Sequence, residues 1–132
     1  MAFGITGYDH VGIRVSNKEV SIAFYESLGF KVTEEFPEES ALEMITDEGI
    51  GINLIYNANG KEGNLLMDVP EKHPGITHPA FIVKSLDNVI KQLAGLDIAI
   101  TEGPLDLGRR KICFIRDPDG TVLEFDELLE TR

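Results

Sequence analysis

The chain has 132 residues, of which 42% are hydrophobic and 27% charged, enough for one domain with a sizeable core. Its formal net charge of −11 argues against a phosphate backbone as partner, so no nucleic-acid role is expected. The longest apolar runs are about five residues, far short of a membrane span, and Cys113 is the only cysteine, which excludes an internal disulfide.

The N-terminal stretch Met1-Ala2-Phe3-Gly4 has no basic region followed by a long apolar run, so no signal peptide is expected, and the default location is cytoplasmic. A strand is predicted from Tyr8 to Val15. Ser16-Asn17-Lys18-Glu19 then reads as a capping box opening a helix, with Val20, Phe24 and Leu28 as its apolar stripe. Gly29 stands where a left-handed C-terminal cap is expected. Three strands follow, Phe30 to Glu34, Ser40 to Thr46 and Ile50 to Tyr56, with Asp47-Glu48-Gly49 turning between the last two. Asn57 to Gly75 is polar, with three glycines and two prolines, and reads as a long connection. The plan then repeats: a strand over Thr77 to Val83, a helix from a Ser85 cap to Ala94, and Gly95. Strands near Ile98 to Thr101, Lys111 to Arg116 and Thr121 to Asp126 complete it, with a turn at Asp117-Pro118-Asp119-Gly120.

The pattern is β-α-β-β-β twice, an α+β architecture with helices on one side of curved sheets. One domain is expected over 1–132, with module one at 7–56, a linker at 57–75 and module two at 76–128. The duplication is visible in the spacing. His10 and His78 are 68 positions apart, as are Val15 and Val83 and Ile22 and Ile90; later the offset becomes 71, which places Asn53 on Glu124.

Strand side chains alternate between faces. Val11, Ile13 and Val15 suit the helix side, and His10 lies opposite with Gly12 and Arg14. By the same alternation His78, Asn53 and Glu124 fall on the face away from the helices. Two imidazoles and a carboxylate in one cavity are a sufficient set for a divalent transition metal (Ni, Zn, Co, Mn or Fe), with positions left for water or substrate. Asn53 is neutral: it either ligates directly or hydrogen-bonds a bound water or substrate. Arg14 suits a substrate carboxylate or a structural acidic partner. Arg109 and Arg110, in a Gly-containing loop, either hold a polar substrate group or are solvated. His73 is expected to be exposed, and Cys113 to fill the core. No GxSxG, phosphate-binding glycine loop or dinucleotide fingerprint is present, so serine hydrolase, kinase and dehydrogenase readings lack support.

Asp9-His10-Val11-Gly12-Ile13-Arg14-Val15, Ala23-Phe24-Tyr25-Glu26-Ser27-Leu28-Gly29-Phe30 and Asp117-Pro118-Asp119-Gly120-Thr121-Val122-Leu123-Glu124-Phe125 resemble the vicinal oxygen chelate superfamily. That group includes glyoxalase I (lactoylglutathione lyase), methylmalonyl-CoA epimerase, extradiol dioxygenases, fosfomycin-resistance enzymes and bleomycin-binding proteins. The resemblance runs from about Tyr8 to Glu127 and implies paired βαβββ modules forming a cup around one metal. It assigns ligand positions to His10, Asn53, His78 and Glu124. Asn53 departs from the Glu of glyoxalase I and the Gln of the epimerases. Gly12 departs from the Thr of fosfomycin enzymes.

The resemblance implies a metal-dependent lyase or isomerase of the glyoxalase I type. It would act on a small substrate with adjacent oxygens through a metal-stabilised enediolate. Glu124 would be the proton carrier, since no second carboxylate is recognised. The alternatives are an Fe(II) extradiol-type dioxygenase and a non-enzymatic small-molecule or drug-binding protein. A homodimer is expected from the resemblance, with the modules pairing within one chain or exchanged between two.

Overall fold

The computed structural model describes residues 3–60 and 65–129. The chain divides into two compact units, Met1–Gly60 and Lys61–Arg132. Residues 61–64 of the expected linker lie outside the described residues.

The first unit holds β1 (His10–Arg14), α1 (Lys18–Ser27), β2 (Lys31–Phe36), a 3-10 turn at Pro37–Glu39, β3 (Ala41–Ile45) and β4 (Gly51–Ile55). Its sheet order is β1-β4-β3-β2, with β1 parallel to β4 and the other pairs antiparallel. The second unit holds a short helix α2 (Leu65–Asp68), β5 (Ala80–Ile82), α3 (Leu86–Gly95), β6 (Glu102–Asp106), β7 (Arg110–Arg116) and β8 (Val122–Leu128). Its order, β5-β8-β7-β6, repeats the first, again with one parallel pair. The result is the expected α+β class: two four-stranded mixed sheets, each with one principal helix. No helix among the described residues is long and apolar enough to cross a membrane.

Alternation builds both cores. Ile13 and Val15 of the β1 segment, Leu42 and Met44 of β3, and Ile52 and Leu54 of β4 are buried on one side of the first sheet. Leu123 and Phe125 of β8 do the same in the second, with Leu86 and Leu93 of α3 also buried. Burial of each such side chain contributes roughly 1.5–3 kcal/mol.

Several local expectations shift. Asn17, not Ser16, caps α1: its Oδ1 accepts from Val20 N at 3.0 Å. The buried stripe of α1 is Ser21 and Tyr25 rather than Val20 and Phe24, and Val20 is half exposed. Starting the helix one residue later turns the inner face by one position. Tyr25 makes edge-on contacts with Phe24 and Phe30, which fixes that face. Gly29 does supply the left-handed cap, at φ +104°, and Phe30 N and Gly29 N return to Tyr25 O and Glu26 O. In the second half the left-handed residue is Asp97, and Gly95 lies inside α3. Aspartate tolerates that conformation better than most side chains.

The strand expected at Ile98 to Thr101 lies later, at Glu102–Asp106. It includes Pro104, which is tolerated because β6 is an edge strand whose register shifts between Glu102 and Leu105. The connection is not wholly irregular: α2 forms within it, and Asp68 is clamped by Arg116 through Nε and Nη2 at 3.0 and 2.9 Å.

The β7–β8 turn is held by Asp117, a nearly buried carboxylate whose Oδ1 accepts from Asp119 N and Thr121 N, both at 2.9 Å. Asp117→Ala is expected to lower stability by roughly 1.5–3 kcal/mol, the range for a bond to a charged acceptor. Urea unfolding is expected to show a lower midpoint with an unchanged slope.

Candidate metal centre

Each unit brings one predicted pair together. In the first, the β1–β4 register sets Gly12 beside Asn53, two residues along β1 from His10. His10 Nε2 lies 3.1 Å from Asn53 Nδ2, and its Nδ1 lies 2.6 Å from Asp9 Oδ2. A carboxylate only accepts, so Nδ1 carries a proton, and in the neutral ring Nε2 presents a lone pair. Asn53 then donates to Nε2, which leaves its Oδ1 buried without a hydrogen-bond partner. Turning the amide over would set Oδ1 against Nε2, two acceptors face to face. A cation at that point, a second proton or a metal ion, removes the conflict in the turned orientation. His10 Nε2 and Asn53 Oδ1 are donor atoms of kinds that divalent ions accept.

In the second unit His78 Nε2 lies 2.8 Å from Glu124 Oε1, and Nδ1 lies 2.9 Å from Thr77 Oγ1. His78 meets Phe114 edge-on at 5.4 Å. Both members of the pair are largely shielded from solvent, and the Glu124 amide is tied to Pro79 O. Burial, then the neighbouring Asp126 carboxylate, push the Glu124 carboxyl above its ordinary range, with His78 opposing. A hydrogen bond joins imidazole and carboxylate there, both of them groups that bind divalent ions.

The residue before each histidine fixes Nδ1, but differently. Asp9 allows one tautomer of His10. The Thr77 hydroxyl both donates and accepts, so it serves either tautomer of His78. Among the described residues, no three His, Cys, Asp or Glu side chains gather to hold one ion. The structure thus presents two pairs, one in each unit.

A second carboxylate does exist beside a ligand position, contrary to expectation. Glu43 on β3 is the direct register partner of Asn53, and its Oε1 accepts from Thr33 Oγ1 at 2.7 Å. Its signal was in the duplication: the 71-residue offset that carries Asn53 onto Glu124 carries Glu43 onto Phe114. Phe114 and Glu124 are themselves register partners. The carboxylate sits one strand over in the first unit.

Arg14 Nε donates to Asn57 Oδ1 at 3.1 Å. Arg110 Nη1 donates to the buried Asp126 Oδ2 at 2.7 Å. His73 is exposed. Cys113 is buried, and burial pushes its thiol up, as suits a core residue.

Asp9→Asn removes the carboxylate that orients the His10 ring and is expected to weaken divalent-ion affinity by about tenfold. Thr77→Val is expected to weaken it less. Titration calorimetry with Zn or Ni measures both.

The profile of the Glyoxalase/Bleomycin resistance protein/Dioxygenase superfamily matches residues 7–125. Virulence protein STM3117 of Salmonella typhimurium is 28% identical over 125 residues, covering 90% of this chain and 82% of that protein. A glyoxalase/dioxygenase from Nostoc punctiforme superposes with a TM-score of 0.79 at 19% identity, over 98% of this chain and 97% of that one. TnmS3, an antibiotic binding protein from Streptomyces sp. CB03234, gives 0.73 at 19% identity over 96% and 99%. The superfamily commonly binds a divalent metal, and it includes both enzymes and non-enzymatic binding proteins. With its duplicated strand order and its match over nearly the full length, the chain belongs to the Glyoxalase/Bleomycin resistance protein/Dioxygenase superfamily.

Proposed function

We propose that the protein is a divalent-metal-dependent lyase or isomerase of the glyoxalase type, acting on a small substrate with adjacent oxygens. The observation that carries this reading is the repeated pair: in both units an imidazole Nε2 faces the side chain of the central strand while Nδ1 is held from behind. His10, His78 and Glu124 would hold the ion, with Asn53 as a fourth, neutral donor. When bound, it would act as a Lewis acid on neighbouring substrate oxygens.

In this reading the chain's own groups would carry the proton chemistry. Burial and Asp126 raise the Glu124 carboxyl in the ion-free protein. It is the carbon acid's base in this reading. Glu43 offers a second carboxylate in the other half, beside a neutral ligand instead of a charged one. Arg14 lies on the same face as His10 and adds positive charge for an anionic substrate group, although Asn57 also holds it. We place the protein in the cytoplasm as a homodimer.

Binding without turnover is the second reading, favoured by the structural likeness to an antibiotic binding protein. An Fe(II) oxygenase is the third, favoured by the two-His, one-carboxylate set.

The hemithioacetal of methylglyoxal and glutathione is the direct probe, with thioester formation followed after adding Ni, Co, Zn, Mn or Fe. Turnover is expected with at least one ion, and Glu124→Gln is expected to lower kcat by about 10²–10⁴-fold. No turnover with any ion would contradict the lyase reading. Strictly oxygen-dependent activity on a catechol would favour the third.

A further inference from the structure

The chain has two places where glycine follows an asparagine or aspartate, Asn59-Gly60 and Asp119-Gly120. Such a pair can close on itself. The glycine amide nitrogen attacks the side-chain carbonyl carbon of the residue before it, and no Cβ stands in the way. The two groups belong to one chain, so the attack has the advantage of proximity. The structure separates the two places.

Asp119-Gly120 is locked. Gly120 N donates to Asp117 O at 2.9 Å, and Asp119 N donates to Asp117 Oδ1 at 2.9 Å. The nitrogen that would attack is committed to a carbonyl inside the β7–β8 turn. Asn59 and Gly60 are both exposed and lie in a bend outside helix and strand. Among the described residues, no hydrogen bond engages the Asn59 side chain or the Gly60 amide. Nearby Asn57 is exposed too, but its Oδ1 accepts from Arg14 Nε at 3.1 Å, and Ala58 follows it. Asn17 is held by Val20 N, and Asn88 precedes the β-branched Val89.

We infer that Asn59-Gly60 is a modification site, where the chain deamidates through a succinimide. Gly60 N forms a bond to Asn59 Cγ and gives its proton to solvent. The Cγ–Nδ2 bond breaks, and Nδ2 takes a proton from solvent and leaves as ammonia. Water then opens the ring, at Cγ to give aspartate or at the backbone carbonyl carbon to give isoaspartate. One water enters, one ammonia leaves, and no atom is oxidised or reduced.

Either product adds a negative charge to a chain already at −11. Isoaspartate also routes the backbone through the side chain and lengthens it by a methylene. Both changes fall at the boundary of the two units, since the first ends at Gly60. The connection is held on either side of that point, by Arg14 at Asn57 and by Arg116 at Asp68. The modification therefore alters the span between two anchors.

The test incubates the full-length protein in ¹⁸O-labelled water at neutral pH, folded and in urea, with peptide mapping by tandem mass spectrometry. The label marks every ring opened during the incubation. In the folded protein Asn59 is expected to gain about 3 Da, with isoaspartate exceeding aspartate. Asn57 and Asp119 are expected to take up label at least about tenfold more slowly. Urea is expected to keep the Asn59 rate within about tenfold of its folded value and to raise the Asp119 rate, because it frees Gly120 N. Gly60→Ala is expected to slow Asn59 by at least about tenfold. No label at Asn59 in the folded protein, or a rate there that rises beyond tenfold in urea, would overturn the inference. Equal labelling of Asp119 with and without urea would overturn the role given to the turn. The wild-type comparison decides even if the variant fails to fold.

Discussion

The register of the two central strands is the constraint on which the rest depends. β4 lies between β1 and β3, and β8 lies between β5 and β7. Each is held by a parallel ladder on one side and an antiparallel ladder on the other. Asn53 is flanked by Ile52 and Leu54, both fully buried, and Glu124 by the buried Leu123 and Phe125. A slip of one residue would turn these apolar side chains out and the polar ligand in. With each buried apolar side chain contributing roughly 1.5–3 kcal/mol, packing alone aims Asn53 and Glu124 at their histidines. Their placement is a by-product of where the core demands apolar side chains.

The halves share this geometry and differ in charge. His10 faces a neutral amide and is backed by the Asp9 carboxylate; His78 faces the Glu124 carboxylate and is backed by the Thr77 hydroxyl. Each imidazole therefore has one carboxylate contact, from behind in one unit and from in front in the other. Glu43 and Phe114 extend the inversion to the neighbouring strand. This asymmetry gives two similar folding units different polar surroundings: an imidazole backed by a carboxylate in one, and an imidazole–carboxylate hydrogen bond in the other.

Much of this was legible in the sequence because strand alternation and duplication are both periodic signals. Matching His10 to His78 and Asn53 to Glu124 needed only constant offsets, and the structure sets each histidine against its named partner. What escaped were features of register and capping. Glu43 is ten residues from Asn53 in the chain and becomes its neighbour only through β3–β4 pairing. The start of α1 turned on Asn17 rather than Ser16, two adjacent residues that cap equally well on paper. Pro104 hid β6, since a proline argues against a strand unless that strand is known to be an edge. The Asp126–Arg110 pair was invisible because alternation places Asp126 beside Glu124 but does not name its cross-strand partner.

The central proposal is that the superfamily's divalent ion would be held by both repeated histidines. X-ray absorption spectroscopy of the protein loaded with one equivalent of Zn or Co tests it most directly, because scattering from imidazole rings can be counted. Two imidazoles per metal are expected, falling to one in His10→Ala and one in His78→Ala. A single imidazole in the wild-type spectrum, or loss of signal in only one of the two variants, would contradict it.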